Sequence, residues 1–157
     1  MKKLFLIFAL VCLSMTNAMG QEIFDEVKRI QKEAKAFAED ETNTLEARKV
    51  ATFKYDAIYY LIDKASQEPT FSEYELGVQT NAMIDFVNLY VNRLSLIKKD
   101  KDKEMLKATF RTATINNSLF NDVDREVVYS YVDNEGFITQ FSLDTDWTKA
   151  LEEVQGK

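Results

Sequence analysis

Ile23, Val27, Ile30, Ala34 and Phe37 recur at spacings of four and three residues, with Lys, Arg, Glu and Gln between them. That rhythm keeps the apolar side chains on one helical stripe and predicts a first helix over about 21–40. A second helix is expected to start near Asn43, which can cap, with Glu46 three residues on as in a capping box. Its core stripe is Val50, Phe53, Ala57, Tyr60 and Leu61, and Tyr55, Tyr59 and Ile62 follow the same spacing on another face. Pro69 closes this pattern, because the residue before proline avoids the α region. Ser72 and Glu75 form a second capping-box pair, and Phe71 and Leu76 stand at the positions of a hydrophobic staple. From there Val78, Ala82, Met83, Phe86, Val87, Leu89, Tyr90, Val91 and Leu94 cover nearly the whole circumference, which predicts a helix buried on most sides at the centre of a bundle. The hydrophilic run from Lys98 to Glu104 reads as a turn. A fourth helix then runs to about Ser118, with Leu106, Phe110, Ala113, Asn117 and Phe120 on one stripe.

Beyond Asn121 the period changes from helical to two. Val127, Tyr129 and Tyr131 alternate with Val128, Ser130 and Val132, and Phe137, Thr139, Phe141 and Leu143 with Ile138, Gln140 and Ser142. Period two with β-branched and aromatic enrichment predicts two strands, joined by a hairpin at about 127–143. A three-residue loop, Asn134-Glu135-Gly136 with Gly136 left-handed, sets Tyr129 opposite Phe141 and Tyr131 opposite Thr139. Asp144 or Thr145 then caps a short last helix with Trp147, Leu151 and Val154 on one stripe. The expected fold class is mainly α (α+β): a four-helix bundle core, a C-terminal β-hairpin and a short terminal helix.

The segment ahead of the first helix is of another kind. Lys2 and Lys3 precede an uncharged run from Leu4 to Leu13, a short polar stretch, and the small residues Ala18 and Gly20. This is the layout of a secretory signal peptide over 1–20, with a single domain over 21–157. The apolar run is too short for a spanning helix, which needs about 20 residues. Lipidation at Cys12 is not expected, since the cysteine sits inside the apolar run behind Val11. Cleavage after Gly20 removes the one cysteine, so the secreted or periplasmic product carries no disulfide and is held by its core alone. A cysteine-free exported chain suits a bacterial periplasm or surface better than an animal extracellular space.

Composition narrows the chemistry. The chain has no histidine, which removes a Ser-His-Asp triad, a Cys-His dyad and an imidazole metal ligand. Twenty Lys and Arg against 26 Asp and Glu leave a net charge of −6, opposite to what a general nucleic-acid binder needs. The four glycines are too scattered for a phosphate loop or a dinucleotide fingerprint. Asp122, Asp124 and Glu126 alternate as calcium-loop ligands do, but Val127 stands where that loop needs glycine, so the run reads as a solvated turn and no metal or cofactor is expected. Asp56, among tyrosines, and Asp85, on the most apolar helix, are the best-placed carboxylates for acid–base work, as in a glycan hydrolase. No catalytic residue is assigned. Aromatic residues mark binding surfaces because they bury much area at low entropic cost, and Tyr55, Tyr59, Ile62, Tyr129, Tyr131 and Trp147 are the candidate contacts for an unidentified protein or extracytoplasmic ligand. Core packing is the commoner use of such residues. The sequence therefore favours a non-enzymatic binding module over a carboxylate-dependent hydrolase.

Overall fold

The computed structural model describes residues 20–124, 127–130 and 139–156. Over these the chain is mainly helical: α1 (Gly20–Glu39), α2 (Leu45–Gln67), α3 (Glu73–Leu96), α4 (Asp100–Asn116) and α5 (Trp147–Gln155), with two short strands, β1 (Val127–Ser130) and β2 (Thr139–Ser142). Helix α3 is the hub. It packs against α1, α2 and α5 and makes a smaller contact with α4, while α4 lies mainly on α5 and β2. Leu76, Ala82, Met83, Ile84, Phe86, Val87, Tyr90 and Leu94 of α3 are buried, as its all-round apolar pattern requires.

The helix ends show which local signals the fold uses. Ser72 and Glu75 form the reciprocal capping box at the start of α3: Ser72 Oγ accepts from Glu75 N–H at 3.1 Å, and Glu75 Oε2 accepts from Ser72 N–H at 2.8 Å. At α2 the cap is Thr44 and not Asn43. Thr44 Oγ1 accepts from Ala47 N–H, while Asn43 turns back and donates to the Phe37 carbonyl, closing the end of α1. The charged run expected as a turn is helical from Asp100 onward, with Lys103 paired to Asp100 and Lys107 to Glu104 along the first turns of α4. Pairs three apart support a helix that has few apolar residues of its own. Asn117 donates to the Ala113 carbonyl at 2.8 Å and so satisfies the C-terminal end of α4. The cap of α5 is Asp146, two residues beyond Asp144, which is used elsewhere.

β1 and β2 pair antiparallel, with Val128 opposite Phe141, Tyr129 opposite Gln140 and Ser130 opposite Thr139. The register is one residue away from the expected pairing of Tyr129 with Phe141. The expectation grouped the large residues across the two strands, but Phe141 finds its partners on the helices. Its ring lies 5.4 Å from Phe53, 5.2 Å from Phe86 and 5.2 Å from Tyr90. β2 is also tied to α4, where Ser142 N–H donates to Thr114 Oγ1 at 3.1 Å and Arg111 donates to Gln140 Oε1 at 3.1 Å. The loop expected at Asn134-Glu135-Gly136, and Tyr131, lie outside the described residues.

Candidate functional site

Among the described side chains, the aromatic residues singled out from the sequence do not form one surface. Trp147 is wholly enclosed, 5.5 Å from Phe86 and 6.1 Å from Phe53, so it is a core residue and presents nothing to a ligand at the surface. Ile62 is half-buried against the core. Tyr55 is half-buried, with the Lys35 ammonium 5.9 Å from its ring centroid, and Tyr59 is exposed. Tyr55 and Tyr59 thus stand one turn apart on the less buried side of α2, while Ile62 leans on the core. Tyr129 is placed in β1 by its backbone. Asp85 stands exposed on α3, and partial burial raises its carboxyl above the ordinary value against the pull of Lys54. Lys54 itself is buried and donates to Asn88 Oδ1 at 2.8 Å.

A groove of about 500 Å³ opens elsewhere, where the α2–α3 turn meets the segment after α4 and the start of α5. Phe71 and Phe120 lie in it with ring centroids 5.0 Å apart, and Leu119 and Val78 extend the apolar lining. Glu68 and Thr70 come from the α2–α3 turn, Glu75 and Gln79 from α3, and Asp146 and Thr148 from the start of α5.

Three polar devices hold this groove. Asp144, fully buried, accepts hydrogen bonds from Leu119, Phe120 and Asp122 N–H at 3.2, 2.7 and 2.9 Å and from the Ser118 hydroxyl. One carboxylate thereby folds the segment that carries Leu119 and Phe120 into the wall, and its burial is tolerable because it is fully hydrogen-bonded. Asp122 then ties the segment to α2, pairing with Lys64 and accepting from Tyr60 Oη at 3.1 Å. The Lys64 hydrogen bond holds the Asp122 carboxyl below its ordinary range; burial, with Asp144 and Asp122 nearby, drives the Tyr60 phenol far above its own. Finally, Gln79 joins α3 to α5: its amide donates to Asp146 Oδ1 at 3.0 Å and accepts from Trp147 N–H at 2.7 Å. Asp146 also accepts from Thr148 Oγ1 and Lys149 N–H and pairs with the Lys149 ammonium. Burial raises its pKa, but the bonds from Thr148, Gln79 and Lys149 outweigh this and the net direction is down.

Chemically, Glu75 and Asp146 are committed to structure. Each is engaged as a helix cap, and Asp146 is held ionised, whereas a general acid near neutral pH needs a raised pKa. Glu68 differs: its carboxylate makes no hydrogen bond or ion pair among the described residues. Comparison with family models, curated proteins and solved structures found no significant match. Local spacing marks Phe71, Glu75 and Phe120 only as staple, cap and stripe residues. Nothing in local spacing brings Phe120 to Phe71, because the buried Asp144 that does so lies 24 residues further on.

Proposed function

We propose that this chain is an exported, non-enzymatic binding protein whose ligand or partner seats in the groove over Phe71 and Phe120. In this reading residues 1–20 are a cleaved secretory signal, and 21–157 form one domain: a four-helix core, a C-terminal β-hairpin and a terminal helix. The observation that carries the binding role is the groove, whose paired rings are held open by carboxylates committed to structure. Its volume falls within the roughly 300–1,000 Å³ of small-ligand sites, and its lining sets Phe71, Val78, Leu119 and Phe120 among polar and acidic side chains. The signal reading is supported by the layout of the sequence, with Lys2 and Lys3 ahead of an uncharged run from Leu4 to Leu13 and the small residues Ala18 and Gly20 after it. Among the described residues no helix is long and apolar enough to cross a membrane.

Two measurements test the proposal. Amide chemical shifts of the purified protein, titrated with N-acetyl-phenylalaninamide as a neutral apolar probe, are expected to move at Phe71, Leu119, Phe120 and Thr148. Shifts confined to other regions, or none at millimolar probe, overturn the groove as the site. Mass spectrometry of the exported protein is expected to show Gln21 as the first residue, and retention of residues 1–20 overturns the signal.

A further inference from the structure

We infer that the groove's occupant is a peptide segment carrying a basic residue beside an aromatic or aliphatic one. The inference rests on the groove being a binding site. Its basis is the charge balance of the walls. The first turns of α3 and α5 both open on the groove, and helix starts ordinarily favour anions. Here each start already holds its own carboxylate, Glu75 at α3 and Asp146 at α5, so their orphan N–H groups are partly satisfied from within. Lys149 is likewise spent on Asp146. Of the lining carboxylates, Glu68 makes no hydrogen bond or ion pair among the described residues, and it stands exposed at the lip of an aromatic lining. A single free carboxylate beside two rings suits one ammonium or guanidinium on an apolar body.

The same arrangement favours a peptide over a free amine. A solvated carboxylate alone contributes little to binding, since exposed ion pairs are weak. Thr70, next to Pro69 on the same turn, has a hydroxyl with no hydrogen bond among the described residues, and so offers a polar group for a peptide backbone. The groove's volume accommodates two adjacent side chains, one over the rings and one toward Glu68.

The test uses calorimetry and amide shifts with three capped tetrapeptides, Ac-Ala-Lys-Phe-Ala-NH2 and its Gln and Glu counterparts, and with phenethylamine. The Lys peptide is expected to bind about two- to five-fold tighter than the Gln peptide, the range set by one partly solvated ion pair, and the Glu peptide most weakly. The preference should shrink with added salt. It should vanish in Glu68→Gln, whose thermal melting should match the wild type because the carboxylate holds nothing in place. Equal binding of all three peptides overturns the inference and leaves the groove reading intact. Phenethylamine matching the Lys peptide overturns the peptide in favour of a free amine. An unchanged preference in Glu68→Gln overturns the assigned contact. If neither the peptides nor N-acetyl-phenylalaninamide move the groove amides, both readings fall together.

Discussion

Phe86 stands fully buried with Phe110, Phe141 and Trp147 at centroid distances of 4.9, 5.2 and 5.5 Å, so it joins α3 to α4, β2 and α5 at one point. Truncating it removes contacts to three elements that cannot all collapse into the space. Phe86→Ala is expected to cost about 3–5 kcal/mol, the range for a buried aromatic, read as a shift in denaturant midpoint. A midpoint equal to the wild type would show that α3 is peripheral. Thr80 makes the opposite case. It is fully buried, and its hydroxyl has no hydrogen-bond partner among the described residues. An unpaired buried hydroxyl costs free energy, and valine has nearly the same shape. Thr80→Val is therefore expected to raise stability by up to about 1 kcal/mol, checked by the same titration.

At the scale of the element, α5 has nine residues and depends on its docking, since isolated helices shorter than about 12–15 residues are marginal. Trp147, Ala150 and Val154 are buried, and Gly156 ends the helix in the left-handed region at φ 74°, where a Cβ would be strained. Its other anchor is Asp146, whose folded pKa lies below the ordinary 3.8. A depressed carboxyl contributes its full stabilisation above the unfolded pKa and loses it as pH falls through the folded value. Asp122 and Glu26 are shifted the same way, by Lys64 and Arg29, and Asp85 is shifted oppositely by burial. Stability is thus expected to fall from about pH 4 downward, with Asp85 partly offsetting the loss. In Asp146→Asn the acid slope should be shallower, because one depressed carboxyl is gone while asparagine still caps. An unchanged slope of unfolding free energy against pH would show that Asp146 is not coupled to folding.

For the whole molecule, the last quarter of the chain completes the core built by the rest. Phe141, Leu143, Trp147, Ala150 and Val154 belong to one apolar cluster with Val27, Phe53, Met83 and Phe110. Deleting residues 122–157 uncovers that cluster and also removes the Asp144 and Asp122 carboxylates that hold the groove wall. The truncated chain is expected to aggregate and to melt without cooperativity, because large exposed apolar patches associate. A truncation that stays monomeric in size-exclusion chromatography and melts cooperatively would show that the C-terminal quarter is a separate arm.

How much of this was legible follows from the range of the forces involved. Helical stripes, the Ser72–Glu75 cap, the end of α2 before Pro69 and the central place of α3 are written in residues three or four apart, and local spacing suffices to read them. The choice between Asn43 and Thr44, or between Asp144 and Asp146, was not legible, because two good caps compete and the loser is taken by a distant partner: the Phe37 carbonyl for Asn43, the Leu119 and Phe120 N–H groups for Asp144. The register of β1 on β2 was decided likewise by the helical rings around Phe141, and not by cross-strand pairing. Trp147 became core and Tyr59 surface although both are aromatic, since only packing tells which side of a helix meets another. The sequence by itself therefore determined where the helices lie, the charged first turn of α4 apart, and which of them is innermost. The groove, with Phe120 brought over Phe71 by a carboxylate buried far along the chain, exists only through tertiary contacts, because no local pattern encodes the meeting of segments that the fold alone makes neighbours.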